Sequence, residues 1–270
     1  MNAPTRLDFS TATSAIAERQ FMDPTRERLK LRPMKAWRHF RALVADKEDT
    51  RQVFGIFEAL PRAGFVDDAR AFCASATGRA RMASEPYLPD LLDDHAPIAA
   101  LPEGTVGRAY LHFMTSQGLS AAGLVEESEK QFRTRYDDQM QWYGDRLRDT
   151  HDMLHILTGH SRDALGEACV LAFTYGQTGN YGNAFIATLA GREIKRGTRV
   201  GAPVFKALWQ AYRNGKRSPN IINEDIRALL AEPLGAARRR LNIDEPVHYR
   251  ACHEAFRGRG IDPFAAMAPA

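Results

Sequence analysis

At 270 residues, with 44% hydrophobic and 26% charged residues, the chain is long enough to bury a substantial core, and its composition excludes wholesale disorder, a collagen-like repeat and a membrane bundle. No window reaches the ~18 consecutive apolar residues of a spanning helix; the stretch MNAPTRLDFSTATSAIAERQ lacks a secretory signal's basic end and apolar run; Cys73, Cys169 and Cys252 form neither a disulfide framework nor a zinc knuckle, so a reducing, cytoplasmic setting is expected. The formal net charge of +4 is unevenly spread, since residues 191–240 hold twelve Lys/Arg against four Asp/Glu, which suits a solvated face or an anionic membrane surface, whereas nucleic acid is disfavoured because no recognition motif accompanies the charge.

Residues 1–28 are expected to be a flexible N-terminal segment. From residue 29 to 245 the apolar spacing follows the helical period almost throughout, and no alternating β-branched run bounded by hairpin turns interrupts it. The expected fold is therefore all-α, a single multi-helix domain. Pro33 opens a helix with Trp37, Phe40, Leu43 and Val44 as its apolar stripe and Lys35, Arg38 and Arg41 turned away. Thr50 is the expected N-cap of the next helix, whose face carries Val53, Phe54, Phe57 and Leu60 before Pro61 ends it. The prolines 86, 89, 97 and 102 reduce the following stretch to a connector with short helical turns. Thr105 then caps a helix through Val106, Tyr110 and Phe113 or Met114 that ends at Gly118, and Ser120 starts a short successor.

A long helix is predicted from about Tyr136 to Leu157, closed by Gly159, with Ser161 capping the one that follows. Later helices are predicted at 183–195, at 202–214 with Gly215 as the stop, at 223–231 and at 234–241, with Pro233 separating the last two. Residues 246–270 read as a C-terminal tail.

The segment RDTHDMLHILTGHSRDALGE concentrates ligand-type side chains. His151 and His155, four apart, project from one helical face, suited to gripping one cation. Asp152 sits about 100° round the helix and can reach the same ion from the flank or orient an imidazole. Glu167 lies beyond the Gly159 break and reaches back if the two helices pack as a hairpin. Such a nitrogen and oxygen set accepts zinc, iron or manganese. The plain alternative is a helix surface on which Asp152 pairs with Arg148 and Glu167 answers the helix dipole. His95, His112, His160 and His248 have no such company and read as structural or exposed. Asp152 stands where a zincin carries its glutamate, which argues against peptidase chemistry.

The run LRDTHDMLHILTGHSRDALGEACVLAFTYGQTGN resembles the signature of the ubiquinone (coenzyme Q) biosynthesis family known as coenzyme Q protein four, HDxxH, eleven intervening residues and Glu. The likeness extends to DTRQVFGIFEAL, LPEGTVGRAYLHFM and VFKALWQAYRNGKR. It implies a divalent metal, zinc first, held by His151, Asp152, His155 and Glu167 on a helix hairpin beside an apolar lipid groove. It also implies a polyprenylated hydroxybenzoate-type substrate, with the ring carboxyl at C1 replaced by hydroxyl, or else a scaffold that organises the other ubiquinone biosynthesis proteins. On either view the protein sits peripherally on the cytoplasmic membrane face. Arg148 and Arg162 flank the motif and suit a substrate carboxylate, or equally structural ion pairs. An exposed apolar face suggests a homodimer.

Overall fold

The computed structural model describes residues 15–27, 30–46, 49, 51–129 and 134–265. Among them every regular element is helical, and the extended pairing is confined to an isolated bridge between Thr105 and Pro233. The chain runs through α1 (Ala15–Glu18), α2 (Pro33–Ala45), α3 (Arg51–Ala59), α4 (Phe65–Ala74) and α5 (Ala76–Ser84), then the proline-broken turns α6 (Leu88–Leu92) and α7 (His95–Ala99). There follow α8 (Val106–Gln117), α9 (Ala121–Glu129), α10 (Gln139–Asp149), α11 (His151–Thr158), α12 (Ala164–Thr178), α13 (Tyr181–Thr198) and α14 (Val204–Arg217). A 3-10 turn (Ile221–Asn223), α15 (Ile226–Ala231), α16 (Leu234–Arg240) and α17 (Val247–Arg257) complete it. The all-α, single-domain expectation holds.

The core forms around α12, which buries Leu165, Ala168, Cys169, Val170, Ala172 and Phe173 and packs chiefly on α14 and α13. Gly215, expected to stop α14, lies inside it. A Cβ there would stand 2.0 Å from the Phe173 carbonyl oxygen of α12, so the residue is glycine because two backbones meet. Two smaller apolar clusters flank this core, one joining α4, α5 and α10 and the other joining α2, α3 and α13.

Several boundaries move. The buried stripe of α2 is Ala36 and Phe40 while Trp37 and Val44 stay exposed, because the small Ala36 lets Ile56 and Ala59 of α3 approach. Thr50 lies outside the described residues. The predicted 136–157 helix is two helices: Asp138 caps the first by accepting from the Gln141 N–H at 2.7 Å. The break falls at Thr150, whose hydroxyl donates back to the Arg146 carbonyl at 2.9 Å, a bond that bends helices. Ser161 does not cap α12; Asp163 does, accepting from Leu165 N–H and Gly166 N–H. Residues 246–265 are no loose tail, since α17 buries Tyr249, Cys252, His253 and Phe256, and at the other end Ile16 of α1 is buried as well.

Candidate metal centre

The eight-residue α11 hangs between the Thr150 break and Gly159, which takes the left-handed conformation (φ 72°) that releases the chain toward α12. The five residues 159–163 then turn the chain so that Glu167, in the first turns of α12, faces α11. His151 Nε2 and His155 Nε2 each lie 3.5 Å from Glu167 Oε2, and ligand atoms of the three residues all fall within 4.8 Å of one another. Those separations are long for a hydrogen bond, whose mode is about 2.9–3.0 Å. They approach the roughly 3.3–3.4 Å between two atoms each bonded to one tetrahedral zinc at about 2.0–2.1 Å.

His155 is the buried member. Its ring stacks on Phe113 of α8 at 5.4 Å, and its Nδ1 lies 3.0 Å from the His160 carbonyl oxygen. A carbonyl can only accept, so Nδ1 carries a proton, and in the neutral ring Nε2 presents a lone pair. That Nε2 is buried and has no hydrogen-bond partner, an arrangement that leaves a polar atom unsatisfied unless a cation occupies the space in front of it. The three side chains therefore fit a divalent ion. Burial works against charge on both Glu167 and His151, yet protonated imidazoles beside it would hold the Glu167 carboxyl well below its usual range, and Glu167 holds His151 above its own, so the carboxylate favours positive charge in this space, whether protons or an ion supply it.

Of the other expected site residues, Asp152 lines the same cleft but stays outside the close group of three. Arg162 stands at the rim, its Nε 3.8 Å from Glu167 Oε1. Arg148 is buried in ion pairs, donating to Asp149 Oδ1 (2.8 Å), Asp145 Oδ1 (2.9 Å) and Ser128 Oγ (3.0 Å). It reaches the cleft wall with Nη2 unpartnered. Of the structural ion pairs that were the alternative for Arg148, the one with Asp149 forms, and Asp145 rather than Asp152 is its second carboxylate.

The cleft has a volume of about 2520 Å³. His151, Asp152 and Glu167 lie on its wall together with Phe40, Leu43, Val53, Phe54, Phe57, Leu119, Leu124, Leu171 and Ile186. The apolar residues expected to pack the α3 helix, Val53, Phe54 and Phe57, are only half-buried because they face this space.

Residues that the sequence reading passed over support the centre from behind. Asp163 caps α12 and accepts from the Tyr249 hydroxyl of α17, and Arg238 of α16 donates to the carbonyls of Ile156 and Leu157 at 3.0 Å each. A helical stripe at Tyr249, Cys252, His253 and Phe256 was the available sign that α17 enters the core.

Comparison with known proteins gives a consistent result. The family model described as "Coenzyme Q (ubiquinone) biosynthesis protein Coq4" matches residues 63–247. The ubiquinone biosynthesis protein COQ4 homolog, mitochondrial, of Bos taurus is 32% identical over 155 residues, 57% of this chain and 56% of that protein. Its Homo sapiens counterpart is 30% identical over 164 residues, 57% of this chain and 56% of that protein, and the Pyrenophora tritici-repentis protein is 26% identical over 186 residues, 67% and 60%. The chain thus spans a little over half the length of the curated relatives it matches. A crystal structure of a candidate ubiquinone biosynthesis protein from Nostoc punctiforme has the same fold, with a TM-score of 0.56 and 22% identity over 80% of this chain and all of that one.

Proposed function

Because the chain belongs to the coenzyme Q (ubiquinone) biosynthesis protein Coq4 family, we propose that it binds a divalent metal through His151, His155 and Glu167, with Asp152 at the flank, and acts on a polyprenylated hydroxybenzoate-type precursor at C1. The observation that carries this is the buried, unpartnered Nε2 of His155 facing Glu167 and His151 on the wall of an apolar cleft. Zinc is the first choice, and iron or manganese suit the same donors. Once bound, such an ion supplies Lewis acidity to a substrate oxygen. The net exchange of a ring carboxyl for a hydroxyl releases CO2 and draws its oxygen from an external oxidant.

The remaining work belongs to the chain. Phe54, Phe57 and Leu171 offer the prenyl tail an apolar wall and keep water from the ring. Arg162, at the rim, offers paired N–H donors to the substrate carboxylate. Arg148, already spent on Asp145 and Asp149, stiffens the wall and has one nitrogen to spare.

A bilayer is the natural source of such a substrate, and no helix among the described residues is long and apolar enough to cross one. Peripheral docking is supported by α2, where Met34 (72% exposed) and Trp37 (43%) project beside Arg38 and Arg41, next to cleft residues Leu31 and Lys35. The exposed Phe205 and Trp209 of α14, among Lys206 and Arg213, make a second basic and apolar face.

One observation favours a second reading. The cluster joins α11 to α12, so an ion there can serve as a clasp for a lipid-binding scaffold that organises the other ubiquinone biosynthesis proteins. Metal analysis of the purified protein, together with Glu167→Gln in cells lacking their own copy, separates the two. About one metal per chain and accumulation of the C1-carboxylated precursor with partner assembly intact are expected for catalysis. Loss of the assembly supports the scaffold, and a metal-free wild-type protein overturns both.

A further inference from the structure

The helix α17 lies almost wholly beyond the family-model match, yet two of its polar side chains are driven into the protein. Tyr249 and His253, four apart on one face, are both buried. The Tyr249 hydroxyl donates to Asp163 Oδ2 and accepts from the Ser161 N–H at 3.1 Å. His253 Nε2 lies 3.2 Å from Asp163 Oδ1, and since a carboxylate can only accept, that nitrogen carries the proton. The Tyr249 ring also meets the His160 ring edge-on, 5.0 Å between centroids.

These contacts converge on residues 160–163, which do two things for the metal cluster. The His160 carbonyl accepts a hydrogen bond from His155 Nδ1–H and so fixes which nitrogen faces the cluster. Asp163 caps α12 and so fixes where that helix begins, four residues before Glu167. We infer that Tyr249 and His253 are positioning residues for the metal centre: through Ser161 and Asp163 they hold the loop that sets the rotation of His155 and the placement of Glu167. Neither touches the ligand atoms. The inference rests on the metal reading above, and nothing in the local sequence from 151 to 167 contains it, because the lock is 86–90 residues away.

A buried helix can also be present for packing alone, and the test must tell the two apart. Tyr249→Phe keeps the ring and removes only the hydroxyl. His253→Gln keeps an N–H donor. Cys252→Ala, on the same helix and buried near Asp163 but with a thiol that makes none of the hydrogen bonds to Ser161 and Asp163, removes packing and leaves those bonds in place. The probe is cobalt(II), read by its visible absorption, with zinc affinity measured by chelator competition. Tyr249→Phe is expected to weaken metal binding by roughly 10- to 100-fold and to alter the cobalt bands, His253→Gln to stay closer to wild type, and Cys252→Ala to leave affinity and spectrum unchanged while lowering thermal stability. Wild-type affinity and an unaltered spectrum in Tyr249→Phe overturn the inference, as does a loss in Cys252→Ala that matches it. Failure of the wild-type protein to bind either metal instead overturns the metal reading on which it stands.

Discussion

Arg146 and Glu85 form an ion pair inside the protein, with side chains 1% and 2% exposed and 2.7 Å between Nη1 and Oε2. Every remaining group is used: Arg146 donates to the carbonyls of Ile222 (2.9 Å) and Glu224 (2.7 Å), and Glu85 Oε1 accepts from the Ile226 N–H (2.6 Å) at the start of α15. Arg146→Met keeps much of the side-chain volume but strands a carboxylate with no countercharge and leaves two carbonyls short of donors. Stranding one member of a buried pair costs about 3–5 kcal/mol. At roughly 2–4 °C per kcal/mol for a chain of this size, the midpoint should fall by roughly 6–20 °C. Thermal unfolding followed by circular dichroism measures the midpoint, and urea unfolding the free energy. The double variant Glu85→Gln with Arg146→Met, which removes the orphaned charge while keeping an amide oxygen for Ile226, should recover part of the loss. A single variant within about 1 kcal/mol of wild type, or a double variant less stable than the single, would refute the argument, since a buried and fully bonded charge cannot lose its partner at so small a cost.

Three further outcomes are expected. Gly215→Ala drives a methyl to 2.0 Å from the Phe173 carbonyl and should destabilise the α12–α14 crossing by about 1–3 kcal/mol or more, read by the same unfolding assay, and an unchanged midpoint would contradict it. Burial pushes His160 down to about 3, below the ~6.5 of an unfolded histidine. Between those values only the unfolded chain binds the proton, so stability falls as pH drops below about 6.5, by about 1.4 kcal/mol per unit. His160→Gln should lose that part of the acid sensitivity between pH 7 and 5, while Asp149, raised to about 6 by burial and opposite in sign, is common to both proteins. Met34→Asp with Trp37→Asp should abolish sedimentation with vesicles containing anionic lipid and leave the fold intact, because both side chains are exposed; retained binding would remove α2 from the membrane contact.

What the sequence made legible was local. His151 and His155 share a helical face by spacing alone, Gly159 marks the turn that follows, and both survive in the folded chain. Thr105 and Gly118 delimit α8 as their chemistry requires. Misreadings came where a residue type serves two purposes. Gly215 looks like a helix stop, but its missing side chain is needed by a neighbouring helix that the linear pattern does not reveal. Ser161 and Asp163 are both acceptable caps, and only the arrival of Tyr249 and His253 explains why the carboxylate does the capping. Trp37 and Val44 continue an apolar spacing that the fold leaves facing outward. Arg146 could not be distinguished from a surface arginine, since its burial depends on Glu85, 61 residues earlier.

The same division explains how a weak local arrangement is held together as a candidate site. Two histidines on one turn of an eight-residue helix supply an edge, and a helix this short is marginal by itself. Glu167 comes from another helix, so its position is only as good as the five residues between them. Those residues are tied down by α17 through Tyr249 and His253, while α16 holds the end of α11 through Arg238. Each tie is a hydrogen bond worth only about 0.5–1.5 kcal/mol net, or about 1.5–3 where a charge is involved. What they contribute is removal of alternatives: with the His155 Nδ1–H, the Glu167 helix start and the end of α11 all held by separate partners, His151, His155 and Glu167 meet beside a loop that is already ordered, which is the preorganisation that the proposed metal binding would draw on.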